Sequence, residues 1–232
     1  MKTLLVLLLM IIQMTYLKQI IALLKKDLLL EWRQKHTFFG VVLYVSCTVF
    51  VLKLMVNQPD NYIWNAMFWV AQLFVTVNTV AKSFLQEGDG RMRYYFTLVT
   101  PLQYIIAKMV YSLVMMMVMM FLSLLMFNVL VGSPVKHMGS FILVACLGAS
   151  SLSLLFTFLS AIAAQARQNA ALMAILGFPI ALPLLMILSN LALGSVSSVV
   201  QEGWGGMAWM MVGMDVLILG LAMILFPFLW KE

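Results

Sequence analysis

The 232-residue chain is 64% hydrophobic and 9% charged, with a mean hydropathy of +1.06, which excludes a soluble globular domain. Apolar runs of about 20 residues recur along it, the length a helix needs to cross a hydrocarbon core of about 30 Å. Lipid cannot satisfy free backbone groups, so the composition predicts an all-α polytopic membrane protein in one bundle, without a soluble module. The net charge of +6 then reflects topology and anionic lipid rather than nucleic acid.

In chain order, "MKTLLVLLLMII" opens like a signal peptide, but Gln13, Met14, Thr15, Tyr16 and Leu17 follow in place of a small-residue cleavage site. Residues 1–13 are therefore expected to be an N-terminal extension dispensable for function, or to precede the true start. From Met14 the segment 14–37 sets Leu17, Ile20, Ile21, Leu24, Leu28 and Trp32 on one helical face, and Lys18, Lys25 and Arg33 on another. It reads as an amphipathic helix on the membrane surface, or as a buried connector helix. Residues 38–232 then divide into six expected spans at 38–56, 62–81, 104–131, 140–164, 170–190 and 207–230, with both termini on one side.

Charge predicts which side. Lys18, Lys25, Lys26, Arg33 and Lys35 precede the first span, Lys82, Arg91, Arg93 and Lys108 bracket the second connection, Arg167 lies in the fourth, and Lys231 follows the last span. The opposite connections carry only Lys136, with Lys53 near the end of the first span. The positive-inside bias makes the termini, 82–103 and 165–169 cytoplasmic.

Within the spans, Asn65, Gln72, Thr76 and Thr79 share a face that must look inward, for interhelical hydrogen bonds or for a substrate path. Ala145, Ala149, Ser153, Thr157 and Ala161 form a small-residue stripe suited to close helix approach. Pro179 and Pro183 predict a kink in the fifth span. Asp215, inside the sixth, must face the interior, pair, sit protonated, or reach water or Lys53, and it is an intramembrane functional candidate. Cys47 and Cys146 read as small buried hydrophobes, and the 21 methionines, "MMMVMM" at 115–120 included, as flexible packing rather than ligands. His137, beside Lys136, reads as a solvated loop histidine in preference to a haem ligand. The chain has no phosphate-binding loop, no metal-spaced cluster and no nucleophile with a base, so neither a catalytic residue nor a metal site is expected. A chain of this kind driven by ATP must receive the force through a protein contact.

"LLKKDLLLEWR", the segment "FLQEGDGRMRYYFTLVTP" after the second span, with Asp89-Gly90 upstream of Pro101, and "ALMAILGFPIALPLLMIL" with Pro179 and Pro183, taken in this order from about Tyr16 onward, resemble CcmB, the permease subunit of the bacterial haem exporter of cytochrome c maturation. The chain departs from the family at Ala81-Lys82 and at Met92-Arg93-Tyr94, where members often carry Glu-Arg and Leu-Glu-Gln. The resemblance implies a multi-pass protein of the bacterial inner membrane that dimerises and binds two CcmA-type ATPases. It further implies action with CcmC, often the small subunit CcmD, and the haem chaperone CcmE. ATP on the partner subunit would then drive haem export or release of haem-loaded CcmE from CcmC, with no cofactor bound directly and haem as the candidate substrate.

On that reading 82–101 contains a cytoplasmic coupling helix between spans two and three, with Phe84, Leu85, Tyr94, Tyr95, Phe96 and Leu98 as apolar anchors and Glu87, Asp89, Arg91 and Arg93 as the polar rim. Without the resemblance the stretch reads as a solvated connector that sets topology. Alternative functions are a permease for lipid, polysaccharide or drug, a secondary transporter, or a non-transporting assembly scaffold. A secondary transporter would show broken helices in both halves, and the second span has no counterpart to Pro179 and Pro183. Deleting residues 1–13 is expected to leave membrane insertion and activity intact, as membrane fractionation and a cytochrome c assay would show; collapse of either would make the segment essential.

Overall fold

The structure, a computed structural model, describes residues 2–33, 35–56, 59–85, 99–133, 135–165, 170–196 and 203–229. Seven helices and no strand occur among them: α1 (Lys2–Arg33), α2 (Lys35–Met55), α3 (Asn61–Leu85), α4 (Pro101–Leu130), α5 (Met138–Gln165), α6 (Ala170–Val196) and α7 (Trp204–Leu229). Five of them, α3 to α7, hold stretches long and apolar enough to cross a membrane; the apolar stretch of α2, Val42–Met55, is shorter. Because α1 is continuous from Lys2 to Arg33, no helix break separates the expected extension from the expected amphipathic segment, and the next helix begins at Lys35, before residue 37.

Local chemistry explains several helix ends. Thr100 caps α4: its hydroxyl accepts from the Gln103 amide at 3.4 Å while the Gln103 side chain accepts from the Thr100 amide at 2.9 Å, and Pro101 supplies a preset first turn. The Asp60 carboxylate accepts from the Ile63 amide at 2.8 Å at the start of α3. Gly132, at φ 90°, turns the chain after α4 in the left-handed region that glycine enters without penalty. The last turn of α6 lies where the Gly-Ser composition of 194–196 predicts a loop. Tertiary contact overrides propensity there, because Ser195 and Val196 are buried and the Ser195 carbonyl accepts from the His137 amide at 3.2 Å.

α5 is the central helix, packing against α3, α4, α6 and α7. The stripe Ala145, Ala149, Ser153, Thr157 and Ala161 is buried throughout, and its small side chains let four neighbours approach one axis. Gly148 tightens the fit: a Cβ there would overlap the ring edge of Trp69 and come within 2.9 Å of Leu188. Four aromatic rings, Trp64, Phe68, Phe127 and Phe141, close the interior near Gly132, with Phe68 and Phe141 centroids 5.3 Å apart. Met115, Met116, Met119 and Met120 are buried in the same core as α4 packing. Cys47 differs from expectation: it is exposed, lining a shallow apolar groove between α2 and α4 with Phe39, Leu43, Phe50, Met126 and Leu130. It sits on the side of α2 turned away from Val45 and Val49, which are fully covered.

The bundle has two distinct ends. The starts of α3 and α5 and the ends of α4 and α6 meet at one, where the Trp64 indole donates to the Gly132 carbonyl at 2.9 Å and the Trp204 indole to the Leu191 carbonyl at 3.3 Å. At the other, Tyr104 near the start of α4 stacks on Phe226 near the end of α7, with centroids 6.0 Å apart. Gly148→Ala is expected to cost about 1–3 kcal/mol through overpacking, read as a lower melting temperature in detergent. Gly213→Ala on α7, with no atom within 4 Å of the added methyl, is expected to leave that temperature unchanged or slightly higher.

Candidate functional site

At the Tyr104 end, the candidate coupling segment runs between α3 and α4. The backbone of α3 is helical through Leu85. The side chains of Phe84 and Leu85, and all of Glu87, Asp89, Arg91, Arg93, Tyr94, Tyr95, Phe96 and Leu98, lie outside the described residues. The chain re-enters at Val99, which packs on the core, and the Thr100 cap then fixes the direction of α4.

Gln103 has a second function beyond the cap. Its side-chain nitrogen donates to the Gln19 side-chain oxygen of α1 at 2.6 Å. Further along, the Lys108 ammonium meets the Asp27 carboxylate at 3.1 Å, with only 4% and 7% of the two side chains exposed. The Tyr111 hydroxyl then donates to Glu31 at 3.1 Å. Lys26, partly exposed, reaches the other Asp27 oxygen at 2.9 Å. The Lys108 ammonium also lies 5.9 Å from the Tyr104 ring centre and 5.8 Å from that of Tyr111, within cation–π range. Gln19, Asp27 and Glu31 thus meet Gln103, Lys108 and Tyr111 in the same order, so α1 runs alongside α4 in the same direction. Leu24 turns into the bundle between them, while Leu17, Ile21 and Leu28 are exposed. The apolar face read from the sequence is therefore divided, and a polar edge of α1 makes the tertiary contact.

A second polar zone lies inside the bundle. Asn65, Gln72 and Thr76 are fully buried, and the Thr79 hydroxyl is also covered. Asn65 ties α3 to α6: its amide donates to the Ser189 carbonyl at 2.8 Å and hydroxyl at 2.9 Å, and its oxygen accepts from the Trp69 indole one turn along α3 at 3.0 Å. Thr76 donates to the Gln72 carbonyl at 2.7 Å. Both polar atoms of the Gln72 side chain, and the hydroxyls of Ser112, Ser153 and Thr157, are buried without a partner among the described residues. Interhelical hydrogen bonding explains Asn65 and leaves Gln72 unexplained.

Asp215 lies near the middle of α7 and makes no ion pair with Lys53. One carboxylate oxygen is 3.5 Å from the Ser150 hydroxyl, and the other is buried without a partner among the described residues. Ser150 also donates to the Leu147 carbonyl at 2.7 Å, and one hydroxyl hydrogen cannot serve both. Pro179 and Pro183 lie within the continuous helix α6 on its exposed side, opposite buried Ala181 and Leu184. No group of three metal-binding side chains occurs among the described residues, and His137 is exposed.

Sequence reading singled out the Asn65 face and Asp215 but missed the docking of α1. The signal was present. Lys108 is the only charged residue in the 30-residue α4, and Asp27 and Glu31, four apart on α1, are that helix's only acids. A lone cation in an apolar helix needs an anion nearby.

Asp215→Asn is expected to raise the melting temperature in detergent, because it removes a partly buried charge that has one unpartnered oxygen. A lower melting temperature would mean that the carboxylate is satisfied by a bound partner. The family model described as CcmB protein matches residues 18–229. Among curated proteins no match is found.

Proposed function

The chain belongs to the CcmB family, the multi-pass permease subunits of the haem-exporting ABC transporter of cytochrome c maturation, and on that premise we propose that it couples ATP hydrolysis by a CcmA-type ATPase to haem delivery. Such a subunit is not itself catalytic. The match over residues 18–229 carries this reading, since it takes in α1 from Lys18, all the long apolar helices and the segment between α3 and α4.

The Tyr104 end is the cytoplasmic one in this proposal. Lys108 lies near it, and the helix ends there, those of α3, α5 and α7 with the starts of α4 and α6, adjoin in sequence Lys82, Arg91, Arg93, Arg167 and Lys231, whereas Lys53 and Lys136 belong to the opposite end. α2 is the first of six spans, its apolar stretch lengthened by Phe38, Phe39, Gly40 and Val41 ahead of Val42. Both termini then face the cytoplasm of a bacterial inner membrane. The protein acts as a homodimer carrying two ATPases, with CcmC-like and CcmD-like subunits, and ATP turnover drives haem export or release of haem-loaded CcmE. Haem is substrate rather than cofactor, and ATP is bound by the partner.

Residues 82–101 make the ATPase contact. Phe84, Leu85, Tyr94, Tyr95 and Phe96 supply the buried centre, and Glu87, Asp89, Arg91 and Arg93 the rim. A push on this segment enters the bundle through Thr100 and Pro101, because the cap makes the first turn of α4 continuous with it. Pro179 and Pro183 permit α6 to bend beside α5, and Asp215 adds a carboxylate within α7. Tyr94→Ala with Phe96→Ala is expected to preserve insertion while cutting cytochrome c maturation at least tenfold and weakening ATPase co-purification. Wild-type maturation together with wild-type co-purification would exclude this segment as the coupling contact.

A further inference from the structure

α4, from Pro101 to Leu130, is longer than crossing the bilayer requires. Thirty residues at about 1.5 Å each make about 45 Å, against a hydrocarbon core of about 30 Å. About 15 Å of α4 is thus surplus to the crossing, and α1 lies alongside its first turns. Three polar contacts hold the two helices together in register, from Gln19 with Gln103, through Asp27 with Lys108, to Glu31 with Tyr111. The central pair is almost completely covered, at 4% and 7% exposure.

An apolar seam would hold two helices equally well. Replacing a buried ion pair by well-packed apolar groups is often neutral or stabilising, whereas removing one partner leaves an uncompensated buried charge. What the polar pairs add is register and resistance to parting: sliding or lifting α1 from α4 would strip Asp27 and Lys108 of each other at the edge of a hydrocarbon phase. Gln103 sits in both this contact and the Thr100 cap, so the same side chain ties α1 to the point at which the segment before Pro101 enters the bundle.

We propose that the Asp27–Lys108 pair, flanked by the Gln19–Gln103 and Glu31–Tyr111 contacts, locks α1 to the first turns of α4 so that the two move as one rigid lever when the ATPase contact is driven. Asp27 and Lys108 are then positioning residues for coupling. The inference rests on the function proposed above, and it adds the second arm of the input: displacement applied ahead of Pro101 is delivered to α1, and through it to α2, which α1 also touches.

The test uses the whole complex, co-expressed with its ATPase. Gln19→Cys with Gln103→Cys, in a background with Cys47 and Cys146 replaced and oxidised in the presence of a short dithiol, bridges α1 and α4 reversibly through two disulfides, a span suited to side chains that meet at their tips. If the helices move together, the oxidised form supports cytochrome c maturation at least as well as the same variant after reduction. An oxidised form that is inactive, regained or not on reduction, overturns the rigid lever, because the helices would have to separate. A second arm exploits the energetics of buried pairs: Asp27→Leu with Lys108→Met is expected to insert and retain the ATPase, yet lose at least tenfold in cytochrome c matured per ATP hydrolysed. The exchanged pair, Asp27→Lys with Lys108→Asp, is expected to recover most of that yield. Undiminished yield in the Leu/Met variant would show that the pair serves stability alone and would overturn the proposal. Failure of the wild-type chain to co-purify the ATPase would instead refute the underlying function, and the lever with it, whereas co-purification together with an inactive bridged form would refute the lever alone.

Discussion

The close approach of α3 and α6 to α5 is the constraint on which the bundle depends. In lipid no hydrophobic force drives helices together, so association relies on contact surfaces without gaps and on polar groups that find partners. α5 meets the first requirement with alanine, serine, threonine and glycine where a soluble helix would carry leucine. Trp69 fills the space left by Gly148, and its indole is held by Asn65, which in turn holds Ser189. Packing and hydrogen bonding thus converge on one side chain. The other helices are arranged around that junction, with α7 the least buried of the five long apolar helices and α1 packed against α4 and α2.

This arrangement separates two kinds of polar group. Asn65, Trp64 and Trp204 donate to backbone carbonyls, those of Ser189 and Leu191 toward the end of α6 and that of Gly132 just past α4. Their bonds bind one end of the bundle together. Gln72, Ser153 and Thr157 are buried without such partners, deeper in the same helices. The Tyr104 end is held differently, by an ion pair and two hydrogen bonds between α1 and α4 and by ring stacking on α7. One end is fastened through main-chain atoms and the other through side chains that meet only in one register.

Much of the fold was legible because membranes impose simple periodicities. Span length follows from bilayer thickness, and the inward faces of α3 and α5 follow from polar and small residues at helical spacing. The end of α6 was misread because glycine and serine at 194–195 signal a loop by propensity, while burial of Ser195 and Val196 decides the matter. For α1, the sequence shows an apolar face but not which edge meets the bundle. Asp27 is recognisable as a contact only when Lys108, 81 positions away, is seen to lack any anion on its own helix. The candidate coupling contact was reached through family resemblance, since a run of mixed charge and aromatics has no periodicity that distinguishes a binding surface from a connector.

The bond between Asn65 and Ser189 spans 124 residues of chain. Ribosomes add about 5–20 residues per second, so the partner of Asn65 is made about 6–25 s after it. Throughout that interval α3 is already apolar enough to enter the bilayer, carrying a carboxamide whose acceptor has yet to be synthesised. Trp69, donating to the same carboxamide within α3, is available at once and can shield its oxygen. The nitrogen must wait. Final closure around α5 is therefore a late event in the life of the nascent chain, and a chain truncated before Ser189 would hold its spans in the membrane with that seam still open.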